Sequence, residues 1–236
     1  MGSVRLPGKS ARMLTGRPIL DALMQRLEGL PCTKWLATSK STEDDILVDI
    51  GKFRGWQILR GSNENVLSRF EEILTNSDAS YCIRVTADNP LVCPEGLSAM
   101  IKTFTSADPP IDYMSDFDFG FFPTGAFAEI FSVSKFLSTI KDIPESEPWH
   151  FSHVTSWMRK NTRISSLRLP IEFEQRPNWR WTIDYPEDFE FISQLTKTLG
   201  DSWVNFSYPE IIEVLDKSPA LTKINSGIAQ KSIEQG

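Results

Sequence analysis

The sequence contains little cysteine and histidine and no long apolar run. Its 236 residues include three cysteines and two histidines. The cysteines form no Cys-x-x-Cys pair, which argues against a disulfide framework and a cysteine-rich zinc site. No apolar stretch reaches the length of a transmembrane helix, and residues 1–30 lack the apolar core of a signal peptide. We therefore expect a protein of the reducing cytoplasm with no membrane partner.

Basic charge is also scarce. Lysine and arginine total 25 against 31 acidic residues, which gives a formal net charge of −6. A chain of this sign presents no overall positive field, so we expect no nucleic-acid partner. Hydrophobic residues make up 40% and charged residues 24%, which is ordinary for globular proteins and excludes a wholly disordered chain. A local basic site remains compatible with this composition.

Strand-like and helix-like segments alternate along most of the chain. This alternation predicts an α/β fold with a mostly parallel sheet flanked by helices, to which the later strands add a smaller β-containing lobe. The predicted strands cover residues 34–38, 57–59, 81–85, 111–115, 126–131, 164–169 and 179–183. A helix is predicted over residues 148–160. Residues 1–220 are expected to form one domain, and the polar residues 221–236 a disordered tail.

The opening loop has the composition of an anion-binding segment. Its glycines free the backbone to wrap around an anion, and Arg5 and Lys9 supply positive charge. The Gly-Lys-Ser sequence at 8–10 is not a P-loop, because Ser3 stands where that motif requires a glycine. The alternative interpretation is a solvated N-terminal tail.

Two aspartates follow predicted strands. Asp88 comes after the strand over residues 81–85, and Asp184 comes after the strand over residues 179–183. Ligands of parallel α/β sheets bind beyond the carboxyl ends of the strands. Two carboxylates at neighbouring strand ends could share one Mg²⁺ ion, which prefers carboxylate and phosphate oxygens. The alternative for each aspartate is a helix N-cap.

Two further groups of residues are weaker candidates. Arg60, Ser62 and Arg69 surround a predicted turn between a strand and a helix, and they could face a nucleotide base or ribose. A helix capped by Ser62, with a surface arginine, is the alternative. His153 follows His150 by three residues on a predicted helix, so the two share one face. We expect His153 to be a hydrogen-bonded structural histidine or to face a substrate, because two histidines alone make a poor metal site.

Five segments occur in an order that resembles one enzyme family. They are residues 1–9 (Met-Gly-Ser-Val-Arg-Leu-Pro-Gly-Lys), 60–62 (Arg-Gly-Ser) with 66–69 (Val-Leu-Ser-Arg), 84–91 (Arg-Val-Thr-Ala-Asp-Asn-Pro-Leu), 153–155 (His-Val-Thr) and 182–189 (Thr-Ile-Asp-Tyr-Pro-Glu-Asp-Phe). The series resembles the cytidylyltransferases that activate acidic sugars, the CMP-KDO and CMP-acylneuraminate synthetase group. Within that group the chain is most similar to the spore coat polysaccharide biosynthesis protein F branch. The resemblance spans residues 1–215.

The resemblance implies a Rossmann-like nucleotidyltransferase fold and an activity. The activity would be transfer of a cytidylyl group from CTP to a sugar acid, with release of pyrophosphate, in surface polysaccharide synthesis. Mg²⁺ would be the cofactor, held by Asp88 and Asp184, while Lys9 and Arg5 would hold the triphosphate; these four are the implied catalytic residues. Members often pair as homodimers. The implied nucleotide-binding positions are Gly2, Ser3, Arg5, Gly8, Lys9, Arg60, Ser62 and Arg69.

The chain departs from the family pattern mainly at the expected sugar end, where Glu129 and His153 are the implied substrate contacts. Phe127 replaces an aspartate of the branch, and Phe151-Ser152 replaces an Arg-Glu pair before His153. The apolar strand that usually precedes the Met-Gly-Ser segment is expected to be missing, which would leave two sheet edges without a partner. Two alternatives therefore stay open. One is a nucleotide-sugar-dependent glycosyltransferase, and the other is a non-catalytic member that acts as a binding subunit.

Overall fold

Helices and strands alternate regularly in the first half of the chain and less regularly in the second. The computed structural model describes residues 6–116, 119–166 and 173–228. In these ranges the strands are β1 Met13–Leu14, β2 Arg17–Pro18, β3 Trp35–Ser39, β4 Gln57–Gly61, β5 Tyr81–Arg84, β6 Tyr113–Ser115, β7 Glu129–Ser132 and β8 Ile164–Ser166. The α-helices are α1 Ile19–Arg26, α2 Asp45–Phe53, α3 Val66–Thr75, α4 Pro94–Ser106, α5 Val133–Thr139, α6 Trp149–Ser152, α7 Ser156–Asn161, α8 Pro186–Leu199, α9 Tyr208–Lys217 and α10 Pro219–Thr222. Among the helices of the described residues, none combines the length and the apolar character needed to cross a membrane.

The strands of the described residues form three separate hydrogen-bonded sheets. β1 and β2 make a small antiparallel hairpin, and β3 and β4 form a parallel pair. The remaining strands form a four-stranded sheet in the order β5–β7–β6–β8. α2 and α3 pack against β4, while α4 and α5 pack against β7. The predicted α/β fold class, with helices flanking the sheets, is therefore confirmed.

The larger sheet is mixed rather than parallel. β7 runs antiparallel to both β5 and β6, while β6 and β8 are parallel. The described residues between β6 and β7 contain no helix, and a connection without a crossover helix returns the chain as an antiparallel strand. The expected parallel pairing therefore holds for β3–β4 and β6–β8 only. The later strands, expected in a smaller lobe, join β5 in this sheet.

In the parallel pair and the four-stranded sheet of the described residues, four strands keep one edge without a strand partner: β3, β4, β5 and β8. β3 is bonded only to β4, and β5 only to β7. Every residue of β5 is partly exposed, whereas a central strand of an α/β sheet is buried on both faces.

The main hydrophobic core fixes the turn at Lys9 relative to α8. Buried side chains of α1, α4, α8 and α9 form one continuous cluster around Trp181, which is fully buried. The 3₁₀ turn Lys9–Ala11 packs on α1, and the hairpin strand β1 packs on α8. The core therefore brings Lys9 close to the start of α8, although 175 residues separate Lys9 from Asp184.

The predicted strand over residues 179–183 does not form. Its one bridge among the described residues is to Thr124. Two alternate N–H groups of the segment bond to different partners: Trp181 donates to the Thr124 backbone oxygen at 2.7 Å, and Ile183 donates to the Asp88 backbone oxygen at 2.9 Å. Because neither partner segment continues alongside, the extended segment is held in place without a regular ladder.

Two helices differ from their predicted form. The helix expected over residues 148–160 breaks at His153, whose ψ of 69° is not helical, and so becomes α6 and α7. The prediction that Ser62 caps α3 is wrong, because Asn65 does so: its Oδ1 accepts the N–H of Ser68 at 2.9 Å. The Ser62 hydroxyl instead accepts the N–H of Asn65 at 3.0 Å, one turn earlier.

The folded part of the chain extends past residue 220. α10 ends at Thr222, and Asn225 is only 3% exposed. The Asn225 side chain donates a hydrogen bond to the backbone oxygen of Arg180 at 3.1 Å. The prediction of disorder from residue 221 is therefore wrong for residues 221–228, because a buried amide ties this segment to the core. Residues 229–236 lie outside the described ranges.

Candidate functional site

Lys9 connects two aspartates from distant parts of the chain. Its Nζ donates hydrogen bonds to Asp88 Oδ2 at 2.5 Å, to Asp184 Oδ1 at 3.0 Å and to the backbone oxygen of Ile183 at 2.9 Å. The three charged side chains are each between 15% and 18% exposed. We call Lys9, Asp88 and Asp184 the lysine cluster. Three further residues predicted in the opening loop lie outside the described residues: Gly2, Ser3 and Arg5.

The local backbone explains why these side chains meet. Gly8 has a φ of +68°, in the left-handed region that favours glycine, and it begins the turn Lys9–Ala11. Asp88 lies in the turn after β5, and Asp184 lies two residues before α8. The Ile183 N–H donates a hydrogen bond of 2.9 Å to the backbone oxygen of Asp88, and this bond holds the two segments side by side.

A buried network holds Asp184 from the side opposite Lys9. Asp188 is fully buried, and its Oδ2 accepts the backbone N–H groups of Asp184 at 3.0 Å and Tyr185 at 3.1 Å. The Arg180 guanidinium donates to both oxygens of Asp188, at 3.1 and 3.0 Å, and to Asp184 Oδ2 at 3.3 Å. Asn225 Nδ2 donates to Asp188 Oδ1 at 3.0 Å. Charge-assisted hydrogen bonds are stronger than neutral ones, so this network holds the Asp184 side chain and backbone firmly in place.

Neighbouring carboxylates keep Lys9 and Arg180 positively charged. Burial lowers the pKa of Lys9, but the charges and hydrogen bonds of Asp88 and Asp184 outweigh it, so the pKa lies above its usual value. Burial also lowers the pKa of Arg180, and its pairing with Asp188 and Asp184 outweighs that effect. Both side chains therefore carry their positive charge throughout the neutral pH range.

The turn at Asp88 contains two buried oxygens with no hydrogen-bond partner among the described residues, Asp88 Oδ1 and Asn89 Oδ1. An unpaired buried acceptor costs about 1–3 kcal/mol, which a ligand would relieve. Carboxylate and amide oxygens suit Mg²⁺. The described residues contain no group of three or more His, Cys, Asp or Glu arranged for a metal. A divalent cation here would take carboxylates from Asp88 and Asp184 and complete its shell with phosphate and water oxygens.

Gly125 lies in close contact with the turn at Asp88. Its φ is +94°, and a Cβ there would come within 2.8 Å of both Asn89 Oδ1 and the backbone nitrogen of Thr182. Only glycine fits this position, because a side chain would push apart the segments that carry the two acids.

The other predicted nucleotide contacts surround the ends of β3 and β4. Arg60 donates to the backbone oxygens of Ser39 at 2.9 Å and Ser41 at 2.6 Å. Arg69 Nε donates to the backbone oxygen of Ser62 at 2.7 Å, and the Ser62 side chain is exposed. Both guanidinium groups thus brace loops at the carboxyl ends of these strands. Contact of these residues with a nucleotide stays a prediction.

The two predicted sugar contacts, Glu129 and His153, lie near Arg84, the last residue of β5, and Glu129 begins β7. Glu129 pairs with Arg84 across these strands, and its Oε2 accepts from Arg84 Nη1 at 3.2 Å and from Thr155 Oγ1 at 2.9 Å. His153 lies two residues before Thr155, and burial, followed by the charges of Arg84, His150 and Arg159, lowers its pKa. We call Arg84, Glu129, His153 and Thr155 the glutamate corner.

His150 has a structural role that the spacing did not reveal. Its side chain is buried, with Nδ1 2.6 Å from the Ser156 hydroxyl and Nε2 3.0 Å from Glu147 Oε2. These bonds tie α6 to α7. The two histidines therefore do not form a metal pair: His150 supports the helices, and His153 belongs to the glutamate corner.

Sequence reasoning missed three residues of the network behind Asp184. Arg180 and Asp188 lie four residues to either side of Asp184, a spacing that could have identified them, since Asp188 occupies the third position of a helix begun by Pro186. Asn225 carried no such signal, because it lies 37 residues from Asp188 in a polar segment.

Solved structures share this arrangement of strands and helices. A cytidylyltransferase from Leptospira borgpetersenii serovar Hardjo-bovis (strain JB197) has a TM-score of 0.85 at 24% identity, covering 98% of this chain and 95% of that one. CMP:2-keto-3-deoxy-manno-octonic acid synthetase, solved in complex with CTP, has a TM-score of 0.61 at 16% identity, covering 84% of this chain and 95% of that one. These likenesses show that the chain has the fold of a nucleotidyltransferase.

Sequence comparison defines the group more narrowly. The family model described as cytidylyltransferase matches residues 1–210. The spore coat polysaccharide biosynthesis protein SpsF of Bacillus subtilis (strain 168) is 34% identical over 228 residues, which are 93% of this chain and 92% of that protein. The chain belongs to the cytidylyltransferase family, as its ordered segments predicted.

Proposed function

We propose that this protein transfers a cytidylyl group from CTP to a sugar acid, with release of pyrophosphate, in the synthesis of a surface polysaccharide. The lysine cluster is the observation that carries the proposal, because it combines one cation and two carboxylates at the edge where α/β enzymes bind nucleotides. The name of the Bacillus subtilis relative supports a role in polysaccharide synthesis. The synthetase solved with CTP supports the nucleotide.

Asp88 and Asp184 are the residues that would hold Mg²⁺. Asp88 Oδ1 is buried without a partner among the described residues, and both carboxylates reach a common point, which Lys9 Nζ occupies. Mg²⁺ bound there would offset the negative charge that develops on the phosphate oxygens during transfer. Arg180 and Asp188 would keep the Asp184 carboxylate aimed at the same point.

Lys9 would bind the triphosphate of CTP. Its ammonium group lies between two carboxylates, and its raised pKa keeps it charged. When the nucleotide binds, phosphate oxygens would replace the carboxylate oxygens as partners of Lys9, which would leave Asp88 and Asp184 free to act as metal ligands. Transfer reactions of this kind depend on alignment and charge neutralisation rather than on a covalent enzyme intermediate.

The glutamate corner would contact the sugar. Glu129 is fixed by Arg84 and Thr155, so its carboxylate presents a defined acceptor to a sugar hydroxyl. Phe127, in the position where the branch has an aspartate, packs against Phe122 with ring centroids 4.9 Å apart and contributes to the core. The sugar end therefore differs chemically from the pattern of the branch, and the acceptor must be found by screening.

The test combines binding with turnover. CTP with Mg²⁺ should raise the Tm of the protein by mass action, whereas ATP with Mg²⁺ should not do so at the same concentration. Pyrophosphate release should then appear with one member of a panel of sugar acids. Absence of a Tm shift at millimolar CTP contradicts the proposal. A shift without turnover on any sugar acid would instead favour a binding subunit, and transfer from a nucleotide sugar without pyrophosphate would favour a glycosyltransferase.

A further inference from the structure

The segment after α10 reaches the network behind Asp184 through one side chain. Asn225 is 3% exposed, and its Nδ2 donates to the Arg180 backbone oxygen at 3.1 Å and to Asp188 Oδ1 at 3.0 Å. Both protons of this amide are therefore used. Residue 225 lies beyond residue 210, where the match to the family model ends, while its two partners lie inside the matched region.

Asp188 connects Asn225 to the lysine cluster. One oxygen of this fully buried carboxylate accepts from Asn225, and the other accepts the backbone N–H of Asp184 at 3.0 Å. Arg180 donates to both oxygens of Asp188 and also to Asp184 Oδ2 at 3.3 Å. The orientation of Asp188 thus affects both the backbone and the carboxylate of Asp184.

Loss of the Asn225 amide would disturb this arrangement in a predictable direction. Asp188 Oδ1 would keep only the Arg180 Nε among its described donors, and the Arg180 backbone oxygen would lose a buried donor. The guanidinium would then turn toward Asp188, because that carboxylate is the more deeply buried of its two partners. Asp184 would be held less firmly as a result.

We propose that Asn225 is a positioning residue for the metal carboxylate Asp184, acting through Asp188 and Arg180. The inference rests on the proposed function, in which Asp184 holds a divalent cation. It assigns the segment after α10 a role in the active site, where sequence reasoning expected only a disordered tail. Supporting groups of this kind typically change metal affinity by about 10- to 100-fold.

The experiment measures metal binding separately from stability. Asn225→Asp keeps the shape of the side chain, removes both donors and sets a carboxylate against Asp188; Asn225→Ala removes the group altogether. Ser226→Ala is the matched control, because Ser226 is the exposed neighbour and bonds only to Lys223 among the described residues. Mn²⁺ affinity in the presence of saturating CTP is measured by electron paramagnetic resonance, together with Tm and the KM for CTP.

We expect Mn²⁺ to bind about tenfold more weakly to both Asn225 variants, with the KM for CTP within about twofold of the unsubstituted protein. The Ser226→Ala control should match the unsubstituted protein in every measurement. A lower Tm with unchanged Mn²⁺ affinity would mean a purely structural role and would overturn the inference. If either variant fails to fold, Asn225→Ser, which keeps one donor in a smaller volume, takes its place with the same expected direction.

The two proposals fail in different ways. If the unsubstituted protein binds Mn²⁺ with CTP and the Asn225 variants bind it equally well, only the positioning role of Asn225 is lost. If the unsubstituted protein binds no Mn²⁺ in the presence of CTP, the proposed function is lost and the inference with it.

Discussion

The lysine cluster and the glutamate corner contain similar residue types, but their carboxylates are paired and supported differently. In the lysine cluster, one cation binds two carboxylates that belong to segments about 100 residues apart, and a second buried network supports one of them. In the glutamate corner, one carboxylate binds an arginine on the neighbouring strand and the hydroxyl of Thr155, which precedes α7. The first arrangement has paired charges and deep support. The second is smaller, with one carboxylate and two donors.

Under the proposed function, the two regions would bind different substrates: the lysine cluster the triphosphate and the glutamate corner the acceptor. Cytidylyl transfer requires the same handling of a triphosphate whatever the acceptor, so the lysine cluster needs a fixed geometry. The acceptor differs between enzymes, and the residues that depart from the family pattern, Phe127 and Phe151-Ser152, lie in sequence next to the glutamate corner. Changes in the lysine cluster should therefore abolish chemistry, while changes in the glutamate corner should alter acceptor use.

The largest expected effect tests the two acids of the lysine cluster. Asp88→Asn and Asp184→Asn should each lower pyrophosphate release by about 1000-fold, because each removes a charge that the metal needs. Asp201→Asn, on an exposed residue, is the control. Turnover at the unsubstituted rate in either site variant would refute the metal assignment and with it the contrast between the two regions.

The next effect concerns the cation of the lysine cluster. Lys9→Met should lower turnover by about 100-fold, since the triphosphate loses its charged partner. The same variant should bind Mn²⁺ more tightly than the unsubstituted protein when no nucleotide is present, because no ammonium then competes for Asp88 and Asp184. Isothermal titration measures this affinity, with the exposed Lys102→Met as control. Weaker nucleotide-free Mn²⁺ binding in Lys9→Met would contradict the competition.

A smaller effect should separate the glutamate corner from the lysine cluster. Glu129→Gln keeps the shape of the side chain but removes the charge that pairs with Arg84. We expect the KM for the sugar acceptor to rise about tenfold, equivalent to about 1.4 kcal/mol, with the KM for CTP unchanged. Steady-state kinetics with each substrate varied in turn gives both constants. An equal increase in the KM for the acceptor and the KM for CTP would show that the glutamate corner and the lysine cluster do not act independently.

The smallest effect concerns pH. The pKa of His153 is lowered by its burial and by Arg84, His150 and Arg159, so the unfolded chain binds a proton more readily than the folded one. His153 therefore contributes stability that is fully present above its unfolded pKa of about 6.5 and is lost as the pH falls from that value through the lower folded-state pKa. The Tm should fall less between pH 7.5 and pH 5.5 in His153→Gln than in the unsubstituted protein. Parallel Tm curves would remove this contribution.

Much of the lysine cluster could be predicted from the sequence because each member carries a local signal. Lys9 follows a glycine in a short basic loop, and Asp88 and Asp184 each follow an apolar run. These signals depend on neighbours in the chain, and the general rule that sites lie beyond strand ends brings them together. The same reasoning identified the family from the order of the segments.

What the sequence could not predict depends on contacts between distant segments. The direction of β7 depends on how the chain returns from β6, and the break at His153 depends on the bonds of His150 to Ser156 and Glu147. Asn225 lies in a polar stretch, and only its burial against Asp188 distinguishes it from a solvated residue. Local patterns carry no information on such pairings.

The bond between Lys9 and Asp184 spans 175 positions of the chain, and the one between Asn225 and Asp188 adds residues still later. During synthesis on a ribosome, Lys9 therefore emerges long before Asp184. It can bind both acids only after most of the polypeptide has been made. Contacts of such long range form late and slowly in folding. A nascent or half-folded chain consequently has no assembled lysine cluster, and under the proposed function it would not yet bind CTP there.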